Sequence, residues 1–302
     1  MSLSLEPASA TDAAAKGVRF HLWRSDPPQP PSPAPAPSTP PVLLLHGVPQ
    51  TALCWRDLVP ELATDRVVLA PDLKGLGGSE IRGPYDVATM AAELAALILH
   101  EVDGAVDIVG HDWGGVLALA VARTRPDLVR RLVIINAPYR HLQLHRAPHV
   151  VAFAVPLLPE VAFRLTGERL VRAMLQAGWR SDPPLAPEIA SHYAAAYADP
   201  QRIEAMLGYY RAAAARKAAK SLRRFARRSP GRSKGTAHLA VDRSLVIWGA
   251  DDPVLPVSVG ESVVRDLGAN CSMITLPGVG HFAPEEAPAI VVPTVAEFLR
   301  AP

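Results

Sequence analysis

Val106-Asp107-Ile108-Val109-Gly110-His111-Asp112-Trp113-Gly114-Gly115 is a short apolar run ending in small residues, and an Ala/Leu-rich stretch, Val116 to Arg123, follows at once. This is the layout of a strand that turns sharply into a helix and lifts one side chain above the sheet edge, a nucleophile elbow. Glycines there let neighbouring backbone approach closely and take unusual dihedrals. An elbow of the form G-x-S-x-G raises a serine; here the raised residue is Asp112. A carboxylate attacking a carboxylic ester would give an anhydride and gain nothing. Attack on a saturated carbon bearing a leaving group gives an alkyl ester that water can cleave. Asp112 therefore points to carbon–oxygen or carbon–halogen cleavage through a covalent ester. An Asp ahead of a helix is also a common N-cap, so the reading needs partners elsewhere in the chain.

Upstream, Pro41-Val42-Leu43-Leu44-Leu45 reads as a buried strand that runs into His46-Gly47-Val48-Pro49. A helix is expected over Thr51 to Ala63, with Trp55 and Leu58 inward, and a strand over Arg66 to Ala70. The glycine-rich Pro71 to Ser79 lacks the G-x-x-x-x-G-K-[ST] spacing of a phosphate loop and reads as structural. Asp86 to Val102 has apolar residues at helical spacing, and Val18, Phe20 and Leu22 alternate within a first strand over Gly17 to Trp23. Pro27 to Pro41 is almost wholly Pro, Ala and Ser. It reads as an exposed polyproline II linker, the alternative being a ligand for a Pro-binding domain.

Downstream come a helical turn at Pro126 to Arg130, strands at Leu132 to Asn136, Ser244 to Trp248 and Ser272 to Leu276, and a last helix near Val292 to Arg300. Strand and helix alternate, which predicts an α/β fold with a mostly parallel, doubly wound sheet and active loops at the strand C-termini. From Ala137 to about Gly235 the alternation gives way to helix with Pro breaks, an inserted helical lid. The expected division is a core over 1–137 with a Pro-rich insert at 27–41, a lid over 138–235, and the rest of the core over 236–302. The lid ends in a basic run, Arg211 to Lys234, read as a solvated helix face or as attraction to a membrane surface or partner.

The chain has 302 residues, 49% of them hydrophobic, enough to bury one large core with a smaller insert. Its formal charge of +2 implies no nucleic-acid partner. Cys54 and Cys271 have no metal-ligand spacing and read as buried thiols of a reducing compartment, with a disulfide left open. Met1 to Lys16 has no apolar core of a signal peptide, and no run of about eighteen apolar residues occurs. A cytoplasmic protein, monomeric or homodimeric, with no cofactor or metal, is expected.

Three further pieces complete the elbow: His46-Gly47-Val48-Pro49, then Gly249-Ala250-Asp251-Asp252-Pro253-Val254-Leu255-Pro256 after a strand, and Gly278-Val279-Gly280-His281-Phe282 after the last strand. Their chain order, nucleophile, acid, histidine, is that of an α/β-hydrolase triad. On these residues the chain resembles the epoxide hydrolase and haloalkane dehalogenase branch of the α/β-hydrolases over nearly its whole length, departing at the Pro-rich insert and in the lid.

The resemblance implies Asp112 as nucleophile, His281 as general base, and an acid where Asp252 stands, since G-x-x-D-x-x-x-P fits Gly249, Asp252 and Pro256; Asp251 is the alternative. It implies an oxyanion hole from the backbone amides of Val48 and Trp113, and structural roles for His46 and His111. Gly208-Tyr209-Tyr210-Arg211 resembles the lid motif that supplies a ring-opening tyrosine, at Tyr210. The second lid tyrosine of the family is missing from Pro148-His149-Val150-Val151-Ala152-Phe153, and His149 takes its place, as in relatives with a His/Tyr pair; His145 and His141 are the alternatives.

Haloalkane dehalogenases commonly have a halide-binding Asn where Val48 stands. Fluoroacetate dehalogenases usually carry Arg beside the nucleophile, where this chain has Trp113 and Gly115. Val150, Val151, Phe153 and Leu157 are expected to form an apolar pocket wall. The expected reaction is the opening of a small lipophilic epoxide by water, the alternatives being a haloalkane or haloacetate dehalogenase with the same triad, or a silent ligand-binding relative, which commonly lacks a triad member.

Overall fold

A computed structural model describes residues 5, 7–28, 39–139, 148–226, 239 and 241–301, with backbone alone at 148–149 and 220–226. Among them, eight strands form one sheet: β1 (Ser9–Ala15), β2 (Val18–Ser25), β3 (Val42–Leu45), β4 (Val68–Pro71), β5 (Val106–His111), β6 (Val129–Ile135), β7 (Arg243–Gly249) and β8 (Cys271–Leu276). Their order is β1-β2-β4-β3-β5-β6-β7-β8. The pairs β1/β2 and β2/β4 are antiparallel and the other pairs parallel. Every residue of β3, β4 and β5 is buried. Helices cover both faces of a parallel sheet, so these strands show no polar alternation.

The core helices are α1 (Val59–Leu62), α2 (Val87–Glu101) and α3 (Trp113–Thr124), and, after the insert, α9 (Val257–Leu267), α10 (Ala283–Glu286) and α11 (Pro288–Arg300). Between β6 and β7 lie α4 (Pro148–Ala154), α5 (Leu158–Thr166), α6 (Glu168–Gly178), α7 (Pro187–Ala195) and α8 (Pro200–Ala226). Strand order reverses at β3, since β4 lies on one side of it and β5 on the other. In open α/β sheets the crevice at such a switch point is where ligands bind. The loops leaving β3 and β5 there carry Val48 and Asp112.

Two elements differ from the sequence reading. The first strand is half of a hairpin: β1 pairs with β2 across Lys16-Gly17, both at positive φ, 51° and 76°, the turn that suits right-twisted strands. The Ala-rich β1 buries Ala13 and Ala15 alone, too weak a pattern to read. The expected helix over Thr51 to Ala63 is instead a 3-10 turn, Ala52–Trp55, followed by α1. Pro60 has no N–H and fits only the first turn of a helix, so it divides the span. Of the Pro-rich segment, 29–38 lies outside the described residues.

Candidate active site

β5 delivers Asp112 into the crevice at φ 47° and ψ −118°. A non-glycine residue held there costs ~1–3 kcal/mol, and such strain persists only where surrounding packing over-determines it. Here the cause is the tight crossing of α3 over the sheet. A Cβ on Gly114 would stand 2.0 Å from the Leu45 carbonyl oxygen, so helix and strand backbones touch. The Val48 N–H donates to Asp112 Oδ2 at 3.0 Å. The Trp113 amide opens α3, where the first N–H groups lack an intrahelical carbonyl.

His281 follows β8 and meets both carboxylates. Its Nδ1 lies 2.8 Å from Asp252 Oδ2 and its Nε2 3.8 Å from Asp112 Oδ1. The first is a hydrogen bond; the second is an ion-pair distance beyond one. Asp252 is filled with donors, for Oδ1 accepts from the Val254 and Leu255 amides at 2.7 and 2.9 Å, and Oδ2 also accepts from Asn136 Nδ2 at 2.7 Å. Asp251 is exposed and accepts from the Gly278 amide at 2.7 Å, away from His281.

The electrostatics of the three groups interlock. Burial disfavours a charged His281, yet the Asp252 charge and contacts with both carboxylates outweigh it and raise its pKa to about 10. Burial likewise pushes up on Asp112 and Asp252, and His281 pulls both below the usual carboxylate range. The resting trio is thus an imidazolium between two carboxylates.

The other two histidines of the motifs hold loops. Burial, then the His281 charge, lowers His111 to about 4, so it is neutral; its Nε2–H donates to the His281 carbonyl at 2.8 Å. His46, lowered by burial, donates through Nδ1 to the Gly47 carbonyl at 2.9 Å and accepts the Leu73 amide on Nε2 at 2.8 Å.

Three residues around the site escaped the sequence reading. Asn136, at φ 45°, ends β6 and supports Asp252; a lone amide after an apolar strand was the available signal. Glu286 accepts four backbone amides. Gly280 and Phe282 flank His281 and donate at 2.8 and 2.9 Å; Arg180 and Ser181, just after α6, donate at 2.8 and 3.0 Å. The His281 amide itself donates to the Gly178 carbonyl at 2.8 Å. Beside it, Glu285 accepts from Tyr193 of α7 at 2.9 Å and from Gln50 and Arg56. Nothing in the spacing of Glu285 or Glu286 foretold this.

Above the crevice, α8 presents Tyr210, buried, its ring edge-on to Trp113 and Phe153 at centroid distances of 5.2 and 5.1 Å. Burial, then the Asp112 charge, pushes its phenol well above the usual value. Tyr209 turns away and donates to the Lys74 carbonyl at 2.6 Å. His149 lies on α4, but its side chain, like the whole of His141 and His145, falls outside the described residues. The apolar wall is only partly as expected. Phe153 packs on Tyr210 and Val150 against the core, whereas Val151 and Leu157 are exposed. A helix turns 100° per residue, so neighbours along α4 and its end cannot all face one pocket.

Cys54 is buried and Cys271 half-buried, both as free thiols, so the second is less enclosed than expected. Among the described residues no His, Cys, Asp or Glu side chains converge in a group that could hold a metal, and no helix is long and apolar enough to cross a membrane.

The model of the alpha/beta hydrolase fold family matches residues 40–288. The AB hydrolase superfamily protein YfhM of Bacillus subtilis (strain 168) is 28% identical over 275 residues, 86% of this chain and 90% of that protein. The soluble epoxide hydrolase of Corynebacterium sp. (strain C12) is 45% identical over 98 residues, 32% of this chain and 34% of that protein. Among solved structures, the epoxide hydrolase CorEH without ligand superposes with a TM-score of 0.77 at 25% identity, covering 96% of this chain and 98% of that one.

Proposed function

The chain belongs to the α/β-hydrolase fold family, and from that premise we propose that it is an epoxide hydrolase working through a covalent ester on Asp112. The observation that carries the reading is the aspartate at the elbow, with one oxygen held by the Val48 amide and the other 3.8 Å from the Nε2 of a His281 backed by Asp252. Oδ1, the oxygen not tied to Val48, attacks an epoxide carbon, and the ring C–O bond breaks. Tyr210, kept protonated by burial and by the Asp112 charge, donates to the oxygen that departs. His149 is the second donor.

Alkylation then changes His281. The ester is neutral, so one of the two negative charges that hold the imidazole protonated is gone, and its pKa falls. The imidazolium gives up its proton, which passes through water to restore the phenol of Tyr210. Neutral Nε2 then takes a proton from the attacking water; the hydroxide attacks the carboxyl carbon of Asp112; negative charge collects on Oδ2, facing the Val48 and Trp113 amides. One such donor is typically worth ~3 kcal/mol. When the acyl C–O bond of the ester breaks, the alkoxide takes the imidazolium proton, the carboxyl of Asp112 passes its own proton to His281, and the vicinal diol leaves with the resting trio restored.

Several observations favour an epoxide over a halide. A buried phenol is a proton donor for an alkoxide, which a halide does not need, and Val48 offers no side-chain amide to a halide. Triad completeness speaks against a silent relative. The lid over 138–235, between two parts of the core, is the matching domain division.

The test is product analysis. Purified protein with styrene oxide or a fatty epoxide should yield diol, with no halide released from haloalkanes or haloacetate. Halide release without diol would replace the reading with the dehalogenase one; neither product would favour a silent binder.

A further inference from the structure

The outer face of the α4–α5 hairpin is apolar where a lid exposed to water would be polar. Val151, Val155, Leu157, Leu158, Val161 and Leu165 are between 43 and 79% exposed. Leu158, Val161 and Leu165 stand at helical spacing on one face of α5, beside exposed Val151 on α4 and Val155 just after it. The inner faces are apolar too: Phe153 packs on Tyr210, and Phe163 on Phe153. A helix pair apolar on both sides faces two apolar media. Leu157 at the junction takes φ 71°, ψ −38°, a left-handed conformation that a leucine rarely adopts, while its side chain is 75% exposed.

The charge around this face has one sign. Arg164, Arg169 and Arg216 are exposed. The two acidic residues of α5 and α6 are each taken up by an arginine, Glu160 by Arg211 at 2.5 Å and Glu168 by Arg172 at 3.5 Å. α8 packs on α4 and α5, and the sequence of its second half contains Lys217, Lys220, Arg223 and Arg224 and no acidic residue.

We propose that the α4–α5 face docks on the surface of a bilayer rich in anionic lipid. The apolar side chains enter the acyl boundary, and the flanking cations meet the headgroups. Charge decides between this and a second copy of the chain. A two-fold contact through this face would set like patches against each other, bringing Arg164 and Arg169 of each copy together. An anionic surface complements them instead. Docking would put the site one helix thickness, about 10 Å, from the membrane, where lipophilic molecules concentrate. It is read without substrate, so it stands or falls apart from the chemistry proposed above.

The experiment is co-flotation of the full chain with vesicles of phosphatidylglycerol and phosphatidylcholine, beside vesicles of phosphatidylcholine alone. Binding should appear at low salt with the anionic vesicles and drop at least tenfold with the neutral ones. Leu158→Glu with Leu165→Glu should lose it at least tenfold while keeping wild-type melting temperature and turnover of a water-soluble substrate. Arg164→Glu with Arg169→Glu should weaken it and flatten its salt dependence. No binding at low salt overturns the proposal. So does undiminished binding by the leucine variant, which would assign it to the basic run alone. A lipid-free dimer that the leucine variant dissolves would assign the face to a second copy. A clear fall in that variant's melting temperature would place the face inside the chain.

Discussion

Alkylating Asp112 removes a negative charge 3.8 Å from the imidazole whose pKa that charge helps raise to about 10. On the proposed mechanism, the base is therefore switched on by the first chemical step. Asp112→Asn mimics the neutral ester, and in it His281 should titrate at lower pH than in the wild type, read from its ring nitrogen shifts by NMR. An unchanged titration would mean that Asp252 alone sets the imidazole. At the leaving oxygen, Tyr210→Phe should slow alkylation by about 100-fold or more, the lower end of what a positioned acid contributes, with the ester-hydrolysis rate unchanged. His149→Ala should slow the same step; if single-turnover alkylation is untouched, the second donor is His145 or His141. At this scale the sequence pattern located Asp112 and His281 through their motifs. It favoured Asp252 by the resemblance and left Asp251 as the alternative. Adjacent carboxylates on one turn point in opposite directions, and only their hydrogen-bond partners tell them apart.

Elements place these groups, and the loop after β8 is tied to the insert as firmly as to the sheet. Glu286 collects amides from both sides, Gly280 and Phe282 beside the histidine, Arg180 and Ser181 behind α6. A glutamine there has one acceptor oxygen, and its NH2 would oppose the Phe282 amide in one orientation and the Gly280, Arg180 and Ser181 amides in the other. Glu286→Gln should therefore lower the rate of ester hydrolysis by about 10-fold, the order expected from losing charge-assisted bonds of ~1.5–3 kcal/mol. Alkylation should change less, so ester accumulates during turnover. Equal loss in both steps would make Glu286 a prop of the fold only. The helical character of the insert was legible from its periodicity. Which face of α4 points inward was not, because Val150, Val151 and Phe153 look alike in sequence while a helix spreads them around its axis. The helix expected after Val48 also failed, since Pro60 outweighed an apolar pattern.

The whole molecule is a sheet whose order reverses at β3, and the two loops leaving that point meet at Asp112. Buried apolar runs made this architecture readable, but the N-terminal hairpin was not, because alanines at Ala13 and Ala15 carry too little contrast. Folding also holds an imidazolium between two carboxylates, which ties stability to pH. His281 has a reference pKa of ~6.5 when unfolded and about 10 when folded. Its contribution is therefore complete below about pH 6.5 and disappears as pH rises towards 10. Melting curves of the wild type should lose more temperature over that interval than those of His281→Gln; parallel curves would refute the charged trio.

The covalent ester is the centre of the account, and intact-protein mass spectrometry reads it directly. His281→Gln with an excess of styrene oxide should gain the mass of one epoxide, stable over minutes, and peptide mapping should place it on Asp112. An adduct on any other residue, or undiminished diol formation by His281→Gln with no adduct, would contradict it.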